Sequence, residues 1–195
     1  MTDPLLEQDD ASTPLTSEER EELIPAYITL RRELNEAEQT NILAAEQWAF
    51  LRKRDVLKQQ FLTNLHKRMF GRVWRWAGKF RQTERNIGIP AYKIPHDLQL
   101  LLDDCRYWIE NNTYEPDEIA ARFHHRLVEI HSFPNGNGRH ARLATDLLLI
   151  SLGQKRFTWG QASLVNAGDT RKAYVSALRT ADKHDLGPLL AFVRS

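Results

Sequence analysis

One cysteine, Cys105, stands in the 195 residues. A lone thiol cannot close an intramolecular disulfide, and its place in a helical segment beside Tyr107 and Trp108 reads as a buried thiol of a reducing compartment. Charge of one sign is missing as well. Lys+Arg number 27 against 26 Asp+Glu, a formal charge of +1, so the chain has no global basic field for non-specific nucleic-acid binding, and any anion recognition must be local. Long apolar runs are absent: "LATDLLLISL" is interrupted by Thr145 and Asp146, and "MTDPLLEQDD" has neither a basic start nor an apolar core. The expectation is therefore no signal peptide, no membrane span and a cytoplasmic location. There is no internal repeat and no low-complexity block.

A hydrophobic share of 42% with 27% charged residues is the profile of one globular core with a tail. Residues 1–14, acidic and broken by Pro4 and Pro14, are expected to form that tail. Order is expected from Thr16, which forms a capping box with Glu19. A helical period runs through "PAYITLRRELNEAEQ", with Pro25 in the first turn, then "NILAAEQWAFLRKR" and "VLKQQFLTNLHKRMF". Between Gly71 and Pro95 the period breaks, and residues 79–83 are expected to pair with 92–94 as a small hairpin. The period returns in "HDLQLLLDDCRYWIENN", in "PDEIAARFHHRLVEIHSF" with Pro116 in its first turn, and in "GRHARLATDLLLISLG", which closes at Gly153. Two shorter helices follow at about 170–179 and 186–193. The fold class is all-α with a short β-hairpin.

"HSFPNGNGRHAR", residues 131–142, joins two of these helices. A helix start carries unpaired amides and roughly half a unit of positive charge, and flanking glycines let several amides converge on one anion. Arg139 and Arg142 are three apart, hence on one helix face, and their guanidinium forks suit phosphate oxygens. His131 stands at the opposite lip. An imidazole of ordinary pKa, about 6.5, is suited to take a proton from a hydroxyl. Taken alone, "PNGNG" is ordinary turn composition; the histidine on one side and the two arginines on the other are what set it apart.

These twelve residues resemble the signature of Fic-domain proteins, H-x-F-x-(D/E)-(G/A)-N-(G/K)-R-x-x-R, and match it everywhere but at the acidic position. The similarity extends over about 61–195, and "AYITLRRELNEAEQ" with "WRWAGKFR" resembles the branch labelled mobile mystery protein B. The resemblance implies a Fic-type helical domain with a small β-hairpin flap at about 79–92 that docks a target segment by strand addition. It implies transfer of AMP from ATP to a Ser, Thr or Tyr hydroxyl of a target protein. His131 would be the base and Phe133 an anchor of the loop. Gly136, Asn137, Gly138 and Arg139 would cradle the α- and β-phosphates, and Arg142 would grip the γ-phosphate. The implied organisation is a tail at 1–14, a helical and inhibitory segment at 15–60, and the Fic domain at 61–195. The implied partners are a protein target and a regulatory partner protein, with no nucleic acid and no membrane.

Asn135 occupies the position at which the family holds Mg²⁺. An amide oxygen is a neutral ligand, whereas Mg²⁺ prefers a carboxylate beside substrate phosphates, so metal binding is expected to be weak. Slow or narrowly specific nucleotidyl transfer, transfer of a different phosphate-containing group, and nucleotide binding without turnover remain open outcomes. A nucleotide-binding regulatory module is the alternative to an enzyme, and a purely structural helical partner is the third reading. The family's inhibitory helix has the form (S/T)-x-x-x-E-(G/N), with its glutamate on the second arginine. Glu33, with Thr29 four before it, and Glu38 are the two candidates, and one of them is expected to restrain the site by pairing with Arg142. Trp74, Trp76 and Phe80 read as core, and the run at 52–54 as a solvated face. His124 and His125 point about 100° apart on a helix, so only one of them can share a metal site with Glu129 or His131.

Overall fold

Thr16 caps the first helix as expected: its hydroxyl accepts the Glu19 N–H at 3.2 Å, and the Glu19 carboxylate accepts the Thr16 N–H at 2.9 Å, opening α1 (Ser17–Glu21). The computed structural model describes residues 16–161 and 168–195, and the expected tail at 1–14 lies outside the described residues. Pro25 does not start the next helix. Residues 25–30 turn instead, with the Ile28 N–H on the Pro25 carbonyl at 3.2 Å. The Glu33 carboxylate accepts the N–H groups of Thr29 and Leu30 at 3.0 and 3.1 Å, and this fixes the start of α2 (Arg31–Phe50) at Arg31. α2 packs along α3 (Gln59–Phe70).

The expected hairpin does not form. Among the described residues the one isolated β-bridge joins Leu23 to Trp74. Residues 91–93 are instead a turn of 3₁₀ helix that runs into α4 (Ile94–Glu110). Prolines decide this: Pro90 has no N–H to offer a ladder, and Pro95 suits a first helical turn. The Ala91 N–H is taken by the Glu84 carboxylate at 3.0 Å, leaving 79–90 as an irregular segment held by side chains.

α5 (Pro116–Ile130) has proline and two acids in its first turn, as a helix start favours. Its apolar face, with Ile119, Phe123, Leu127 and Ile130, is buried. α6 (Asn137–Ser151) packs along it in the centre of the molecule, against α3 on one side. The large core joins α2 to α6 and contains Trp74, Trp76 and Cys105, as the sequence predicts. A smaller core joins Ala120 and Leu149 to Trp159, α7 (Asp169–Ala181) and α8 (Gly187–Val193). Asp146, one of the two polar interruptions of the apolar run, is buried between them and accepts from Arg156, the Phe157 N–H and the Trp159 indole.

Three fully buried histidines tie these elements together. His66 Nδ1 accepts the Gly78 N–H at 3.0 Å, so the ring proton sits on Nε2 and is donated to the Asn135 carbonyl at 3.0 Å. His140 meets the Leu62 carbonyl at 3.0 Å, and His124 meets the Tyr174 hydroxyl at 2.8 Å. Burial holds His66 well below the ordinary histidine range and pulls His140 to about 4 and His124 to about 3. Between the ordinary value and these depressed ones the unfolded chain binds more protons than the folded one. Stability is therefore full above pH of about 6.5 and is lost as the pH falls toward 4. Thermal unfolding followed by circular dichroism at pH 7.5 and pH 5 is expected to show a fall in Tm of roughly 5 °C or more. An unchanged Tm contradicts the neutral, buried assignment.

Candidate active site

The joint between α5 and α6 turns on two residues in left-handed backbone. His131 ends α5 with φ 53° and ψ 59°, and Gly136 begins α6 with φ 78°. At Gly136 a side chain is excluded twice, since a Cβ there would lie 2.6 Å from two ring carbons of Phe70 as well as carrying the wrong φ. Asn137 closes the loop: its Oδ1 accepts the Phe133 N–H at 2.9 Å, and its Nδ2 donates to the Phe133 carbonyl at 2.8 Å. Phe133 stacks on His66, with ring centroids 3.7 Å apart. His66 in turn holds the Asn135 carbonyl, so the loop is pinned from α3.

His131 is only 6% exposed. Burial first, then the guanidiniums of Arg81 and Arg85, pull its pKa down to about 4, against the opposing effect of the Val128 carbonyl. At neutral pH it is an uncharged base. At the other end of the loop, the first turn of α6 presents the N–H groups of residues 137–139, which have no carbonyl inside the helix to meet; the first bond inside the helix is from His140 N to Gly136 O at 2.9 Å. Arg139 and Arg142 lie on this turn and the next. Arg142 folds back toward the helix start, where a Cβ on Gly138 would lie 3.7 Å from its Nη1.

The two arginines are held differently. The Arg139 guanidinium stacks over Phe70 and donates to Glu38 Oε2 at 2.6 Å. Glu38, buried on α2, also accepts the Trp74 indole N–H at 2.7 Å. Arg142 lies against Tyr174, its guanidinium carbon 5.7 Å from the ring centroid, and the phenol is its main favourable neighbour.

The structure thus brings His131, Gly136, Asn137, Gly138, Arg139 and Arg142 to one joint. Two expectations change in detail. The Asn137 side chain is used within the loop, which leaves only its backbone N–H for the expected phosphate contact. Glu38 meets Arg139 rather than Arg142, because Arg142 is turned toward α7. Glu33 does not reach the joint; its carboxylate caps its own helix. Asn135 Oδ1 accepts the Gly136 N–H at 2.7 Å. That oxygen is neutral and already engaged, and no group of three His, Cys, Asp or Glu side chains is placed to hold a metal ion among the described residues. The donor set does not fit the carboxylate-held Mg²⁺ that the resemblance implies. His124 and His125 diverge, to Tyr174 and to Asp182.

Sequence reading missed three residues that shape the site. Arg81, His66 and Tyr174 lie far from the motif in the chain, and each acts through a single polar head that no periodicity marks. A further clue lay in "KFRQ", where a cation interrupts a mixed run beside two buried tryptophans.

The Fic/DOC family matches residues 56–149. Protein adenylyltransferase Fic from Drosophila grimshawi is 31% identical over 136 residues, covering 68% of this chain and 27% of that protein. The protein of the same name from Aedes aegypti is 28% identical over 145 residues, covering 72% and 28%. The chain thus spans about a quarter of the length of the curated relatives it matches. Among solved structures, a Fic-1 fragment from C. elegans superposes with a TM-score of 0.66 at 27% identity, covering 91% of this chain and 52% of that one. BepC from Bartonella tribocorum, solved with bound AMPPNP, superposes at 0.70 with 16% identity, covering 92% and 97%, and shares the fold. Across residues 56–149, a span that includes the joint between α5 and α6, the chain carries a Fic/DOC family domain.

Proposed function

We propose that the chain is a protein adenylyltransferase that moves AMP from ATP to a Ser, Thr or Tyr hydroxyl of a target protein. One observation carries this reading: a buried, neutral histidine ends α5, and at the other end of the same short loop α6 starts with two arginines in its first two turns. His131 takes the proton of the target hydroxyl. The freed oxygen forms a bond to the α-phosphorus as the bond to pyrophosphate breaks, and pyrophosphate leaves. The amides of residues 137–139, with Arg139 and Arg142, hold the phosphate oxygens and the charge that develops on them. The names of the curated relatives, and the AMPPNP in the BepC structure, support ATP as donor.

Two features set the level of activity. Glu38 occupies Arg139, so a phosphate must compete with an internal carboxylate for that guanidinium; we read this as a restraint that a target or regulatory partner protein relieves. Asn135 supplies no carboxylate, so no step is routed through Mg²⁺. The unpaired, buried Cys105 fits a cytoplasmic setting.

The test is ATP labelled on the α-phosphate, added to the purified chain with cell lysate. Label is expected on the chain or on lysate proteins, and its loss is expected in His131→Ala. Absence of label while ATP still raises Tm supports the nucleotide-binding module instead. In the same assay with Mg²⁺, Asn135→Asp is expected to raise labelling about tenfold by restoring a charged ligand. An unchanged rate contradicts the role given to position 135.

A further inference from the structure

Arg81 is 2% exposed, and its side chain carries a full charge into the interior. A buried cation ordinarily meets a carboxylate. The nearest here, Glu84, is mostly exposed and stands 4.0 Å away. Backbone carbonyls take its place. Nε donates to the His131 carbonyl at 2.7 Å, Nη1 to Thr83 at 2.9 Å, and Nη2 to Ile89 and, at 3.4 Å, to Ile130. The Arg81 N–H completes the set on the Ser132 carbonyl at 3.0 Å.

These acceptors fall in two groups. Ile130 and His131 are the last carbonyls of α5, where the helix dipole is negative and intrahelical donors run out. Thr83 and Ile89 belong to the irregular segment 79–90. One guanidinium therefore fastens that segment to the turn that carries the base. A second contact lies beside it: a Cβ on Gly88 (φ +97°) would stand 2.7 Å from His131 Cβ and 2.8 Å from Arg81 Nη2. The segment is thus seated directly on the histidine, with no space left between them. Its outer part is tied by Arg85 to Glu19 of α1 and by Glu84 to the Ala91 N–H.

We propose that Arg81 is the positioning residue of the general base: by clasping the carbonyls of Ile130 and His131, it makes the placement of His131 depend on how the 79–90 segment is seated. His131 sits in left-handed backbone at a helix end, a conformation that a non-glycine residue keeps only when its surroundings enforce it. The clasp supplies that enforcement. A target segment that docks against 79–90 then presses on the base through the same guanidinium. This inference rests on the adenylyltransferase reading for its effect on turnover, and its geometric part stands without it.

Arg81→Lys keeps the charge and loses the fork; Arg81→Met loses both. Circular dichroism identifies which variant folds. In the labelling assay the folded variant is expected to lose roughly ten- to a hundredfold in kcat, because the base is misplaced. Its KM for ATP, and its ADP affinity by calorimetry, are expected to stay within about twofold. A kcat unchanged, or one that falls in step with nucleotide affinity, overturns the proposal. The His131 ring is also followed by ¹H–¹³C NMR, assigned with His131→Ala, which needs no activity. In either variant its signal is expected to shift and to split or broaden; in Arg81→Met its titration midpoint is expected to rise from about 4, since Arg85 is then the remaining cation beside it. An unmoved His131 signal overturns the proposal even if the wild type labels nothing. A moved signal in an inactive wild type upholds the clasp and refutes the enzyme reading alone.

Discussion

The joint between α5 and α6 rests on a turn that few sequences can make. One residue with a side chain and one glycine hold left-handed backbone at its two ends, and a phenyl ring fills the space where any larger residue than glycine would have to go. Phe70 therefore does more than pack. It brings the start of α6 against α3, forms the platform on which Arg139 stacks, and allows His66 to reach the Asn135 carbonyl from the same helix. Loosening that contact would move the start of α6 away from α3 and from the Phe70 platform under Arg139.

The charges at the joint are balanced internally. Arg139 is neutralised by Glu38, whose other oxygen is taken by Trp74. Arg81 is satisfied by carbonyls, and Arg142 lies against a phenol. The two motif arginines are thus held by different partners, Arg139 by a carboxylate and Arg142 by the Tyr174 phenol. Near-zero net charge overall is compatible with this, because attraction is concentrated where backbone amides and guanidiniums converge.

Much of this was legible in the sequence, for reasons that differ by element. The capping box at Thr16, the proline start at Pro116 and the apolar face of α5 are local signals, and local physics decides them. The motif loop was legible because its glycines, its asparagine and its flanking charges sit within twelve consecutive residues. The segment 79–94 misled: its break of the helical period resembles a hairpin, but two prolines and one buried guanidinium, bonded to carbonyls at 130 and 131, decide its shape. Glu38 shows the same limit from another side. Helical spacing places it on α2, yet its partner is 101 residues away, so the chain alone points to Arg142 as readily as to Arg139. Only the packing of α2 beside the start of α6 chooses between them.

The central claim is that the joint is a phosphate seat whose first arginine is held back by an internal carboxylate. Isothermal titration of ATP into the wild type and into Glu38→Gln tests it most directly. Glutamine keeps the acceptor for the Trp74 indole and removes the negative charge that pairs with Arg139. Affinity for ATP is expected to tighten by about tenfold or more, the scale of one charge-assisted contact regained. Equal or weaker affinity in the variant would contradict the account.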